Sequence, residues 1–243
     1  MASNSETGHA VNIANFKLLI DKCVGFGVDY NPSNADLTTA SMSTLWGIAT
    51  TAQTSVVNAL QNAKEPINER YILFKPLNRL VTRVMGILNS TKASAAVKKD
   101  AKGIADKIRG FKNAKPKTDG GGAPDEKSVS TSHMSFVMRA DSFTNLIELL
   151  KTVSSYAPNE LDLTTTALDA LYLSMKAKND NIGVIIAPVD ATRIARDRAL
   201  YEAEIGMVDV AKAAKSYVKG LYGSTAPEYR LVSRIKFTKP RVK

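Results

Sequence analysis

The side chains that most often do chemistry are scarce in this chain: two histidines, His9 and His133, and a single cysteine, Cys23. A catalytic histidine needs a partner held at hydrogen-bond distance. His9 sits in a polar N-terminal stretch and His133 between two helical regions, so neither is expected to be fixed by packing. Cys23 falls on the apolar face of an expected helix, where the matching position further along the chain is Leu150, and it reads as a small core residue. One cysteine also excludes an intramolecular disulfide, a multi-cysteine zinc site and an iron–sulfur cluster held by this chain alone.

Other motifs fail on spacing. Asp29, Asn31 and Ser33 begin like a calcium loop, but Asn34 stands where an EF-hand needs glycine and Ala40 where it needs glutamate. Gly120, Gly121 and Gly122 neither follow a strand nor open a helix with a lysine, so they make no phosphate loop. Gly-x-Ser-x-Gly, His-Glu-x-x-His and a pair of Glu-x-x-His motifs are all missing from the sequence. Asp190, Asp197, Glu202, Glu204 and Asp209 alternate with Arg193, Arg196 and Arg198 at helical spacings, which predicts surface ion pairs. The expectation is a protein that is not an enzyme and uses no cofactor or metal.

Charge carries more information. The chain has 243 residues and a net charge of +10. Residues 64–117 hold 14 Lys+Arg against 4 Asp+Glu and residues 211–243 hold 9 against 1, whereas 118–210 hold 8 against 14. Within the two basic blocks, Lys75, Arg79, Arg83, Lys98, Lys102, Arg109, Lys115 and Lys117 in the first and Lys212, Lys215, Lys219, Lys239 and Arg241 in the second are the candidate contacts to a polyanion or a protein partner. Clustered cations release counterions from phosphates and bind them without regard to sequence. The competing reading is a solvated helix face that also attracts acidic surface on the same or a neighbouring copy. Few aromatics accompany these cations, which argues against base stacking.

The elements that must carry these residues repeat. Residues 30–39, YNPSNADLTT, match 156–165, YAPNELDLTT, at six of ten positions. Upstream, Phe16, Leu19, Ile20, Cys23 and Phe26 match Phe143, Leu146, Ile147, Leu150 and Val153, both sets spaced for one face of a helix. Thr38 and Thr164 are the expected N-caps of the next helix. Leu37 with Met42, and Leu163 with Leu168, have the spacing of a hydrophobic staple. Further stripes follow at Leu77, Leu80, Val81, Val84 and Leu88, at Val97, Ala101, Ile104, Ile108 and Phe111, and from Leu200 to Leu221, with a short helix near 227–235. Residues 182–190 are the one strand-like run, and without a partner strand they are expected to be a helix end and its loop.

These patterns predict an all-α protein of two tandem, internally duplicated helical bundles of about four helices each, joined by a flexible Gly/Pro-rich linker. The expected boundaries are a mobile N-terminal arm over 1–10, a helical module over 11–112, a linker over 113–138, a second module over 139–237 and a basic tail over 238–243. The expected function is that of a non-enzymatic scaffold or self-assembling subunit whose partner is another protein or itself. Sequence-independent binding of nucleic acid is the alternative. No membrane contact is expected, and the expected location is the cytoplasm, with a virion-like or non-classically exported location as the alternative.

Overall fold

The computed structural model describes residues 4–110 and 135–239. Among them the regular structure is helical throughout: α1 (Asn4–Gly25), α2 (Thr39–Phe74), α3 (Leu77–Ser90), α4 (Ala95–Arg109), α5 (Phe136–Lys151), α6 (Thr165–Asp180), α7 (Ile182–Tyr201), α8 (Met207–Tyr222) and α9 (Pro227–Ser233). Short 3-10 turns at Ala35–Leu37 and Leu161–Leu163 precede α2 and α6. No described helix is long and apolar enough to cross a membrane.

The repeated segment folds as its residues dictate. The Thr38 hydroxyl accepts from the Ser41 N–H at 3.2 Å, and the Thr164 hydroxyl accepts from the Ala167 N–H at 3.2 Å, relieving the unpaired donors of the first turns of α2 and α6. Leu37 and Met42 are buried together, as are Leu163 and Leu168. The shared tyrosine completes the motif: the Tyr30 hydroxyl donates to the Leu37 carbonyl at 2.8 Å, and the Tyr156 hydroxyl to the Leu163 carbonyl at 2.9 Å. Each bond closes a seven-residue loop and fixes the direction in which the following helix leaves.

Three boundaries differ from the expected ones. α1 starts at Asn4, so helix replaces most of the arm expected over 1–10. α5 starts at Phe136, capped by the Ser135 hydroxyl, and takes residues assigned to the linker; the rest of that linker, 113–134, lies outside the described residues. Residues 182–190 are neither strand nor loop but the first half of α7, which continues past Pro188. Between α7 and α8 the chain turns tightly at Gly206, where a Cβ would stand 2.6 Å from the backbone N and O of Glu202.

The chain forms two compact units that do not follow the order of the sequence. The first unit is Met1–Ala63 together with Ile185–Lys243, and the second is Lys64–Val184. In the first, Phe16, Leu19, Ile20 and Met42 share a core with Met207, Ala211, Ala214 and Val218. In the second, Leu77, Val81, Val84 and Leu88 share a core with Phe143, Leu146, Ile147 and Leu168. Each unit therefore joins the opening helices of one repeat to the closing helices of the other, whereas the modules expected over 11–112 and 139–237 keep each repeat with itself. Enclosing one phenylalanine or leucine contributes about 1.5–3 kcal/mol, against about 0–1 for an exposed ion pair, so the cores, more than the exposed charges, hold each unit together.

Candidate interaction surfaces

The residues with chemical potential are placed for packing. Cys23 is buried in the first unit's core, and burial pushes its thiol up to about 11, so at neutral pH it is a protonated thiol rather than a nucleophile. His9 corrects the expectation drawn from its polar surroundings: it is only 3% exposed, with Nδ1 2.7 Å from the Tyr201 hydroxyl. Arg196 likewise departs from the expected solvated face, being 4% exposed with its guanidinium 2.8 Å from Asp197. His133 lies outside the described residues. Among the described residues no group of His, Cys, Asp or Glu is arranged to hold a metal ion.

The candidate cations divide into three sets. Lys115, Lys117 and Arg241 lie outside the described residues. Seven are engaged by the chain itself. Lys98 donates to the Asn89 and Thr91 carbonyls at 2.9 and 2.7 Å, closing the C-terminal end of α3. Lys215 donates to the Ile235 carbonyl at 2.6 Å beyond α9, and its partial burial lowers its pKa. Arg109 donates to the Thr82 hydroxyl at 3.0 Å and lies 3.6 Å from Asp106, which Lys102 also reaches at 3.2 Å. Arg83 forms a two-pronged pair with Asp162, while Lys212 and Lys239 share Asp209. Lys75, Arg79 and Lys219 are exposed and make no ion pair among the described residues.

The charge alternation seen along the sequence is thus folded into each unit. The first unit carries 14 Lys+Arg against 10 Asp+Glu and the second 19 against 13. Acidic opening segments meet basic closing segments, as Asp162 meets Arg83.

Each unit has a joint where its opening helix grips the far segment, and the two joints occupy matching positions. In the register that matches Phe16 with Phe143, His9 corresponds to Phe136 and Asn12 to Arg139. In the second unit the Phe136 ring stands edge-on to Phe74, centroids 4.9 Å apart, and the Arg139 guanidinium lies 6.0 Å from the Phe74 ring. Arg139 also donates to the Ile108 carbonyl at 3.2 Å and to Asn78 Oδ1 at 2.8 Å. In the first unit His9 meets Tyr201, centroids 5.5 Å apart. The buried Asn12 donates to the Thr238 carbonyl at 2.7 Å, accepts from the Thr238 N–H at 3.1 Å and donates to the Tyr201 hydroxyl at 3.2 Å. One joint is aromatic and cationic, the other a hydrogen-bond network. Sequence reasoning left Asn12, Arg139, Phe136 and Tyr201 out; a signal was present for three of them, since Asn12 and Arg139 stand four residues, and Phe136 seven, before the matched Phe16 and Phe143.

The units also differ at the 3-10 turn. Leu77, Val81, Val84 and Leu88 of α3 correspond to Met207, Ala211, Ala214 and Val218 of α8, all fully enclosed. In that register Arg83 corresponds to Ala213, and Asp36, the match of Asp162, makes no ion pair among the described residues. Asp36 instead borders a shallow groove of about 290 Å³ that includes Leu45, Ile48, Ile205 and Val210. None of the known protein families, curated proteins or solved structures compared with this chain matches it.

Proposed function

We propose that this chain is a non-enzymatic structural or interaction protein, built by duplication of a four-helix plan, that assembles with other proteins or with copies of itself. One observation carries the reading: of the ten described candidate cations, seven are already bound by the chain's own carbonyls, hydroxyls and carboxylates. Lys98, Lys215 and Arg109 would have to give up the carbonyls and hydroxyl that they hold within the chain to reach a phosphate, which favours an internal role for the basic blocks. The protein would act by presenting related but non-identical surfaces from its two units. Light scattering over a hundredfold range of concentration, with the chain also used as bait for protein partners, tests this. Self-association or a captured partner is expected, and a strict monomer that captures nothing overturns it.

The second reading, sequence-independent binding of nucleic acid, is favoured by the unengaged Lys75, Arg79 and Lys219 and by the net positive charge of both units. It requires a shift of DNA or RNA at ~50 mM salt that falls steeply as salt rises. Absence of a shift at that salt removes it.

A further inference from the structure

The second unit is one continuous stretch of chain, Lys64–Val184, but the first is made from the two chain ends, Met1–Ala63 and Ile185–Lys243. The ends meet through contacts that owe nothing to chain proximity: Asn12 binds Thr238 across 226 residues, Asn15 donates to the Lys236 carbonyl at 2.7 Å across 221, and His9 meets Tyr201 across 192. The division between units falls inside α2 and inside α7, so each end is attached to the continuous unit by helix and not by a short loop.

From this we infer that a second copy of this chain is a partner, taken by exchange of ends: α8, α9 and Thr238 of one copy seat on α1 of the other. The inference rests on the assembly reading above and deepens it by naming the partner. Its physical basis is that every contact closing the first unit within a chain is available, unchanged, between chains. No new interface has to be created; the costs are the loss of the effective concentration that tethering confers and the opening of the tight turn at Gly206 between α7 and α8. The exchanged dimer is therefore expected to grow in proportion to concentration while scarce and to become substantial near the effective concentration of a tether, ~1 mM. The first unit must open before ends can change partners, so the dimer, once formed, is slow to revert. Exchange of the ends does not require the continuous unit to open. If the exchange is not reciprocal, the same seating leaves one free end on each side and extends head to tail.

The test uses the full chain in ordinary and 15N-labelled forms. The two are mixed at ~1 mM, taken to the midpoint of their urea transition, returned to buffer and diluted to ~1 µM, a thousandfold below the tether concentration. Gel filtration with native mass spectrometry should find a dimer containing one chain of each kind that persists for hours. The fraction of chains in the dimer should fall about threefold when the cycle is run at a tenth of the concentration, and in proportion to concentration on further dilution of the cycle. Asn12→Ala should shorten the dimer's lifetime several-fold, whereas Arg139→Ala, in the unit that need not open, should leave it unchanged; both monomers are first checked for helix content. A dimer that dissociates within seconds of dilution, or one equally affected by both substitutions, overturns the exchange while leaving the assembly reading intact. Monomer alone after every cycle also overturns the exchange, and the assembly reading then stands or falls on capture of another protein.

Discussion

Tyr30 and Tyr156, at matching positions of the two similar segments, make the same hydrogen bond. Each hydroxyl is buried against the carbonyl of the leucine that precedes a helix cap, and burial pushes Tyr156 up to about 12 and raises Tyr30 as well. Replacing either tyrosine by phenylalanine keeps the ring and leaves a buried carbonyl without its donor, which costs about 1–3 kcal/mol. For a chain of this length that corresponds to a fall in melting temperature of several degrees. Tyr30→Phe and Tyr156→Phe should give similar falls in thermal melts; no change in either would mean that the loop is held by the leucine packing alone. The identity of these tyrosines was legible in the sequence. Their partner was not, since a hydroxyl can reach many carbonyls and only the folded loop selects one. Cys23 shows the converse: its burial followed directly from its place on an apolar stripe.

At the scale of the element, the starts of α2 and α6 were readable because a cap and a staple are set within six residues. Their ends were not. α2 runs on through Pro66 to Phe74, although proline normally kinks or stops a helix, and α7 takes a segment whose β-branched residues look like a strand. Of that segment only Val189 is buried, while Val184 and Ile186 are exposed. The Arg83–Asp162 pair joins α3 to the turn before α6 and makes a pH prediction. Hydrogen bonding to Arg83 holds the Asp162 carboxyl below its usual range, so its contribution is present above the unfolded value near ~4 and is lost as pH falls through the lower folded value. Asp162→Asn should therefore lower the urea midpoint at pH 7, with a deficit that shrinks as the pH falls into the acid range. A deficit that persists in acid would assign the effect to the turn rather than to the charge. The matching Asp36 has no such partner, and Asp36→Asn should leave the profile unaltered.

At the scale of the whole molecule, each core takes residues from both sides of Gly120–Gly122. If a protease site replaces these glycines and the folded protein is cut there, the two pieces should remain together on gel filtration and part only on unfolding. Two modules that each kept a repeat to itself would instead separate into two smaller species. The sequence by itself determined that the chain is helical, where two of its helices are capped, which faces are apolar and how charge alternates, because all of these are set by spacing over about ten residues. It could not determine which closing helices join which opening helix. The apolar stripes of the two repeats have the same spacing, so either opening helix offers a face that either closing pair can cover. That choice belongs to tertiary structure: to α2 and α7, which continue unbroken through the division between units, and to the two joints, where Asn12 and His9 meet Tyr201 while Arg139 and Phe136 meet Phe74.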